Sequence, residues 1–332
     1  MVNWVQVLRE HGQARLAKIA GLRQHAVAIQ DQDDAAAAGT VINFWLPKHH
    51  KKRHTKEGPG GKNRKQNRHA VVLVHGFAGD GIMTWLPQVN ALARISHVDV
   101  YVPDLIHFGG STSPSPDRSA TFQARCLAAA LRKLGVVERC TVVGFSYGGL
   151  VAFEMAAAFP ELVRSIVVSG AVPAYTAAMN DALLERFGVG SLTELMLPDS
   201  VGGVMVLFST AFYKKPWLPR RLLSDFLEDA ESLKSDLARP TSCVHMLQWR
   251  ELWQEGKTKL GISANKTLWS FSDLAFGCGA GWWLLAFSDV LLRRKKEKGS
   301  NEGSFNKSFH LLVSFHPVLL ALLAGHGSEG EG

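Results

Sequence analysis

The segment TVVGFSYGGLVAFEMA (141–156) constrains the fold most strongly, because it joins two apolar runs through a single serine. The first run has strand character and ends at Phe145, and the second is alanine-rich and has helical character. Ser146 stands between them in the pattern Gly-x-Ser-x-Gly, in which Gly144 and Gly148 allow strand and helix to pass closely. The pattern predicts a nucleophilic serine on a sharp strand-to-helix turn.

Strand-like and helix-like segments alternate on both sides of this turn. Predicted strands cover residues 39–47, 69–77, 98–105, 140–145 and 163–170, and predicted helices cover residues 85–95, 119–135 and 148–160. This alternation predicts a mostly parallel α/β sheet with helices on both faces. His75, Asp104 and Ser146 each follow a predicted strand, and we expect them at the carboxyl edge of the sheet, where ligands bind in such folds.

The same patterns divide the chain into four predicted segments. Residues 1–38 are predicted to form an amphipathic helical segment, and residues 39–170 the α/β core. Residues 171–240 lose the alternation and are predicted to form a helical lid over the carboxyl edge. Residues 241–332 show no clear strand-helix rhythm, and no fold is predicted for them.

The formal net charge of +8 arises from one segment, residues 48–69, which holds nine Lys or Arg and one Glu. Pro59 and its neighbouring glycines interrupt any helix there, and no aromatic residue is interleaved for base stacking. We therefore expect a solvated loop and no nucleic-acid partner. A nuclear-localisation signal or an anionic-surface patch is the alternative.

Cysteine usage and the amino terminus favour a reducing, cytoplasmic location. The four cysteines have no close paired spacing, so neither a disulfide framework nor a metal site is predicted. Arg9 and Glu10 interrupt the first apolar residues before a signal peptide core could form. No cofactor is expected, and the amphipathic segment leaves peripheral membrane association as an alternative. The cysteines are Cys126, Cys140, Cys243 and Cys278.

The turn His75-Gly76-Phe77 ends the second apolar strand, and its backbone could face the serine. Acyl transfer requires N–H donors aimed at the developing oxyanion, and the backbone amides of Phe77 and Tyr147 are the predicted donors. His75 and Gly76 are predicted to shape the pocket. Of these, His75 is interpreted as a structural turn histidine and not as the base.

Residues 39–170 resemble the α/β-hydrolase superfamily through the segments HGFAGDG (75–81), VYVPDLIHFGGS (100–111) and VVGFSYGGLVAFEMAAAFPELVRSIVVSG (142–170). They are most similar to its lid-bearing branch of meta-cleavage-product hydrolases and monoacylglycerol-lipase-like esterases, including plant-type members. The resemblance implies an α/β-hydrolase fold with a helical lid. It also implies that the loop at Asp104 shapes the pocket and that Asp104 has a structural and not a catalytic role.

In this superfamily an acid and then a histidine complete the site beyond the lid. Asp273 is the candidate acid, and His326, in a Gly-His pair near the end of the chain, is the candidate base. Further residues in a compatible order are Asp289, His245, His310 and His316.

The carboxyl-terminal region also allows other interpretations. Residues 268–292, followed by RRKKEK (293–298), resemble a membrane span with a basic flank. Asp273 and Asp289 would each cost about 2.5–3.5 kcal/mol at the bilayer centre. A shifted reading frame, a retained non-coding stretch or an alternative product would also explain the loss of the strand-helix alternation. An incomplete sheet would leave apolar edges open to aggregation.

The predicted function is that of a serine hydrolase acting on a small apolar or ester substrate, either a carboxylic ester or an acylglycerol. The apolar lid stretch at residues 201–219 suits an acyl chain. One alternative is a carbon–carbon bond hydrolase, and another is a catalytically impaired relative that binds a small apolar ligand. Epoxide hydrolases and haloalkane dehalogenases are disfavoured, because they use a carboxylate where Ser146 stands. The sequence predicts no particular oligomeric state.

Overall fold

A computed structural model describes residues 2–7, 11–30, 37–47, 68–77, 79–93, 95, 97–136, 139–171, 177–211, 218–237, 269–270 and 310–314. The helices are α1 Trp4–Val7, α2 Gln13–Ile19, α3 Gly81–Leu92, α4 Ala120–Lys133, α5 Tyr147–Ala158, α6 Ala177–Phe187, α7 Leu192–Met196, α8 Val201–Ala211 and α9 Arg220–Leu237. The strands are β1 Leu22–Ala28, β2 Val41–Pro47, β3 His69–Val74, β4 Val98–Pro103, β5 Cys140–Phe145, β6 Val163–Ser169, β7 Trp269–Ser270 and β8 His310–Ser314.

The eight strands form one sheet in the order β1-β2-β4-β3-β5-β6-β8-β7. Strand β2 is antiparallel to both β1 and β4, and the other pairs are parallel. Every residue of β4 is buried, and so are the residues of β3 from Val71 to Val74. The β-branched side chains of these strands suit a sheet that is covered on both faces.

Helices cover the two faces of this sheet. Helices α4 and α5 pack on one face, where Leu127 and Met155 are completely or almost completely buried against the strands. Helices α2 and α3 pack on the opposite face, where Trp85 and Val89 belong to a second apolar cluster. The predicted α/β class, with helices on both faces of a mostly parallel sheet, is confirmed.

The structure differs from the sequence prediction at residues 22–28. These residues were predicted to be helical, but they form strand β1, which pairs along its length with β2. From Arg23 to Ala28 the side chains alternate between more and less buried positions, which is the period of a strand and not of a helix. Helices α1 and α2 occupy only part of the predicted helical segment.

Two strands lie in the region for which no fold was predicted. Strand β8 pairs in parallel with β6, and the two-residue strand β7 pairs with β8. Trp269 and Ser270, near the start of the stretch that resembles a membrane span, belong to β7. None of the described helices is both long and apolar enough to cross a bilayer. The remainder of residues 241–332 and the basic segment 48–67 lie outside the described residues.

Four helices follow β6 within residues 177–237, and we call them the helical insertion. Helix α7 begins at an N-cap, Ser191, whose side chain accepts a hydrogen bond from the Glu194 N–H. Helices α8 and α9 pack together, and the rings of Phe208 and Phe226 meet edge to face with centroids 5.1 Å apart. The insertion corresponds in position to the predicted lid.

Candidate active site

Ser146 lies at the junction of β5 and α5, in a backbone conformation that non-glycine residues rarely adopt. Its φ and ψ are 52° and −119°. The Ser146 N–H donates to the Ser169 carbonyl at the end of β6 (2.8 Å), and its carbonyl accepts from the Gly149 N–H (2.8 Å). Such strain, about 1–3 kcal/mol, persists only where surrounding structure enforces it, and it concentrates at functional sites.

The flanking glycines make this turn sterically feasible. A Cβ atom on Gly144 would lie 2.3 Å from the Gly148 carbonyl oxygen. A Cβ atom on Gly148 would lie 2.3 Å from the carbonyl oxygen of Val74 and 2.4 Å from that of His75. The spacing of Gly-x-Ser-x-Gly therefore reflects contact between the start of α5 and the ends of β3 and β5.

The turn after β3 lies against the serine. A Cβ atom added to Gly76 would be 3.2 Å from the Ser146 Cβ, so the Gly76 backbone passes beside the Ser146 side chain. Phe77 follows, and its ring meets Phe108 edge to face at 5.8 Å. The predicted oxyanion donors thus belong to two segments that both border Ser146. Tyr147 is the first residue of α5, where a backbone N–H has no acceptor within the helix.

The side chain of Tyr147 is held by a contact of its own. It is buried, and its hydroxyl donates to the Arg118 carbonyl at 2.5 Å. Burial raises the pKa of Tyr147, so the phenol stays protonated. We therefore expect Tyr147 to act through its backbone and not as an acid or base.

His75 is completely buried, and both of its ring nitrogens are occupied. Its Nε2 accepts from the Leu105 N–H (2.8 Å), so Nδ1 carries the proton and donates to the Gly76 carbonyl (2.7 Å). Burial lowers the pKa of His75, and Asp104 and the Gly76 carbonyl offset this only in part. The neutral imidazole holds the Gly76 backbone and the Asp104 loop together.

Asp104 is the centre of a buried hydrogen-bond network after β4. Its carboxylate accepts from the Gly81 N–H at the start of α3 (2.9 Å), from the Gly110 N–H (2.9 Å) and from the Asn43 side chain (2.7 Å). Its carbonyl accepts from the Ser111 hydroxyl (2.7 Å). Burial raises the pKa of Asp104 although these hydrogen bonds favour the carboxylate. Sequence reasoning missed Asn43, because it belongs to the distant strand β2.

The candidate acid and base lie outside the described residues. Asp273 and His326 are not described, and neither are Asp289, His245 and His316. His310 is the first residue of β8 and pairs with Ser165, whereas Ser314 pairs with Ser169 at the carboxyl edge. Four residues of strand span about 13 Å, so His310 stands at the wrong edge to reach Ser146. The Ser146 side chain accepts no capping hydrogen bond from the first turn of α5.

Two other kinds of site were considered among the described residues, a metal site and a surface groove. Within the described ranges, no group of three or more His, Cys, Asp or Glu could hold a metal ion. A surface groove of about 460 Å³ lies between α2 and β1, beside Lys18, Arg23 and Trp45. It contains none of the candidate site residues, so the chemistry is expected at the Ser146 turn and not there.

Comparison with known proteins supports the α/β-hydrolase superfamily. Residues 69–189 match the family model for the alpha/beta hydrolase fold. The chain is 32% identical over 103 residues to 2-hydroxy-6-oxo-2,4-heptadienoate hydrolase of Pseudomonas putida, covering 31% of this chain and 37% of the relative. It is 24% identical over 161 residues to Lipase 3 of a Moraxella species, covering 48% and 49%. The chain spans less than half the length of the curated relatives it matches.

A solved structure with a similar fold matches most of the chain's length. The structure of a lipase candidate from Acinetobacter baumannii superposes with a TM-score of 0.54 at 15% identity, covering 96% of this chain and 93% of the other. At this identity the likeness concerns the fold alone. Together with the family model, it identifies the fold as that of the α/β hydrolases.

Proposed function

We propose that this chain, which has the α/β-hydrolase fold, is a serine hydrolase that cleaves carboxylic esters or acylglycerols with Ser146 as nucleophile. The observation that carries the proposal is the conformation of Ser146, a non-glycine residue with a φ of 52° between a parallel strand and a helix. The match to a bacterial lipase over 48% of the chain supports the ester class.

The proposed chemistry begins with attack of the Ser146 Oγ on the ester carbonyl carbon. The N–H groups of Phe77 and Tyr147 stabilise the negative charge that forms on the carbonyl oxygen. The amino end of α5 adds a favourable dipole at the same place. A histidine takes the Oγ proton and passes it to the leaving alcohol, and water then hydrolyses the acyl-enzyme. His326 and Asp273 remain the predicted base and acid.

The helical insertion is the proposed lid, and its composition favours an apolar acyl chain. In helix α8, Met205, Val206 and Leu207 are only partly buried, whereas Val204 is completely buried. Partly buried apolar side chains on one element can gain contacts when an apolar ligand covers them. We therefore propose that medium or long acyl chains are preferred to acetyl groups.

A fluorophosphonate probe tests the nucleophile directly, because it reacts with activated serines. The wild-type protein is expected to be labelled, and Ser146→Ala is expected to remain unlabelled. Ser169→Ala is the matched control, since Ser169 ends the neighbouring strand β6 at the same edge and should leave labelling intact. Failure of the wild type to react would refute the proposal. An apolar ligand that raises its Tm without turnover would then support the non-catalytic alternative.

Carbon–carbon bond hydrolysis is a second candidate, favoured by the match to 2-hydroxy-6-oxo-2,4-heptadienoate hydrolase. The two candidates differ in the bond that is broken. Incubation with a p-nitrophenyl octanoate ester and with a 2-hydroxy-6-oxo-dienoate separates them, because each substrate changes absorbance when its bond is cleaved. Turnover of the dienoate alone, lost in Ser146→Ala, would replace the ester proposal by this one.

A further inference from the structure

The amino-terminal residues are hydrogen-bonded to the last helix of the insertion, which is more than 200 residues away in sequence. The Trp4 N–H donates to the Asp225 carboxylate (2.9 Å), and the Asn3 side-chain amide donates to the Asp225 carbonyl (3.0 Å). The same amide donates to the Glu228 carboxylate (3.2 Å). Arg221 donates to the Val2 carbonyl (2.8 Å). We call residues 2–4 together with Arg221, Asp225 and Glu228 the clasp.

The clasp is held by directed polar contacts and not by burial of large apolar side chains. Val2 and Trp4 remain 58% and 56% exposed. Asp225, in contrast, is 1% exposed and is paired with Arg221 at 3.0 Å. A carboxylate removed from water is tolerated only when its oxygens are hydrogen-bonded, and residues 2–4 supply part of that set. The buried position of Asp225 therefore depends on the amino-terminal residues.

Asn3 has two roles at this contact. Its side-chain Oδ1 accepts from the N–H groups of Val5 and Gln6, which caps α1. Its amide nitrogen reaches α9, as described above. One side chain thus couples the formation of α1 to its attachment to α9, and its loss should affect both.

The neighbouring helix α2 is attached to the sheet. Ala17 of α2 is completely buried in the same apolar cluster as Leu22 of β1 and Trp85 of α3. Helix α2 packs against both β1 and α3, whereas α1 packs against α9. One short stretch of chain therefore contacts the sheet at one end and the helical insertion at the other.

We propose that residues 2–7 and 11–19 act as a strap that holds the helical insertion against the sheet, and that Asn3 and Asp225 are positioning residues for substrate binding. This inference rests on the proposed role of the insertion as the lid. Loss of the clasp lets α9 separate from α1 and lowers the fraction of molecules with the insertion closed. Since apparent affinity falls with the competent fraction, KM for a substrate that contacts the insertion rises while kcat is unchanged.

Hydrogen exchange on the full chain tests the strap without reference to activity. In Asn3→Ala the amides of α9 (Arg220–Leu237) are expected to exchange about tenfold faster than in the wild type, as for a lost helix cap. The amides of β3 and β5 are expected to exchange at the wild-type rate. Asp225→Asn, a second variant of similar volume, is expected to show the same pattern.

Ser191→Ala is the matched control, because it removes a helix cap within the insertion whose hydrogen bond, accepted from the Glu194 N–H, lies at the start of α7. It is expected to accelerate exchange only in α7. Unchanged α9 exchange in Asn3→Ala would overturn the strap, and so would equal acceleration in β3 and β5, which would indicate general loss of stability.

Ester kinetics link the strap to the site. KM for p-nitrophenyl octanoate is expected to rise in Asn3→Ala, whereas KM for p-nitrophenyl acetate stays at the wild-type value. Equal changes for both esters would contradict the positioning role. Faster α9 exchange in a protein whose wild type has no hydrolase activity would support the strap and remove the proposed function, so the two failures are distinguishable.

Discussion

The Ser146→Gly variant is expected to be more stable than the Ser146→Ala variant, because the backbone conformation of Ser146 is strained. Its φ of 52° and ψ of −119° cost about 1–3 kcal/mol for any residue with a Cβ. Ser146→Ala keeps the Cβ and hence the strain, whereas Ser146→Gly removes it. Glycine offsets part of this gain, because the greater freedom of the unfolded chain lowers the free energy of unfolding by about 0.5–1 kcal/mol. The free energy of unfolding of Ser146→Gly should therefore exceed that of Ser146→Ala by about 1 kcal/mol.

Thermal unfolding measures this difference. For domains of this order of size, 1 kcal/mol corresponds to a Tm difference of about 2–4 °C. The same pair of substitutions at Ser169 is the matched control, since Ser169 lies in strand β6 and pairs with Phe145. In a strand, glycine is the less favourable residue by about 0.5–1 kcal/mol, so Ser169→Gly should melt below Ser169→Ala.

The signs of the Tm differences between the glycine and alanine variants at Ser146 and Ser169 show whether the turn is strained. Opposite signs at Ser146 and Ser169 support a strained nucleophile turn. A Ser146→Gly variant that melts at or below Ser146→Ala would show that the turn stores no more strain than the about 0.5–1 kcal/mol that glycine costs, and the structural basis for choosing Ser146 as the nucleophile would be lost.

Two further predictions concern residues around the serine. Gly148→Ala is expected to destabilise the protein by roughly 3 kcal/mol or more in denaturant unfolding, because its Cβ would lie 2.3 Å from a carbonyl oxygen. Gly202→Ala in α8 is the control, because a Cβ atom there would lie 3.7 Å from its nearest neighbour, the Ser200 Oγ, and it should be neutral or stabilising. Similar losses of stability in both variants would refute the steric explanation. His75→Gln is expected to flatten the pH dependence of stability below about pH 6.5. The lowered pKa of His75 means that the unfolded chain binds its proton first on acidification, so the wild type loses stability there. An unchanged slope of stability against pH in His75→Gln would contradict this. The raised pKa of Asp104 favours the folded state on acidification, and it does so in the wild type and in the variant alike.

The strand-to-helix turn at Ser146 was predictable because its determinants are local. The strand ending at Phe145, the glycines at 144 and 148, and the helix that follows are all contained in 16 consecutive residues. The steric requirement that fixes them acts between atoms of the same short segment and of one neighbouring strand. Periodicity and residue size therefore carried enough information to place Ser146 correctly between β5 and α5.

Strand β1 and the Asp104 network were harder to predict, because their determinants are not local. Residues 22–28 pair with β2 across a connection of twelve residues, and only tertiary pairing favours the strand over a helix. Asn43 reaches Asp104 because β2 runs antiparallel to β4, with Phe44 opposite Pro103. No sequence period indicates which polar residue of one strand will meet a carboxylate that follows another.

The clasp was also not predictable from local patterns, because it joins residues that are far apart in the sequence. Asn3 and Asp225 are 222 residues apart, and each stands in a segment that reads as an ordinary amphipathic helix. Asp225 and Arg221 would be interpreted from sequence as a solvated i,i+4 pair, worth a few tenths of a kcal/mol. Burial of Asp225 to 1% exposure makes the same carboxylate costly unless residues 2–4 contribute hydrogen bonds. Burial therefore makes an otherwise weak surface pair into a contact that joins the amino terminus to the helical insertion.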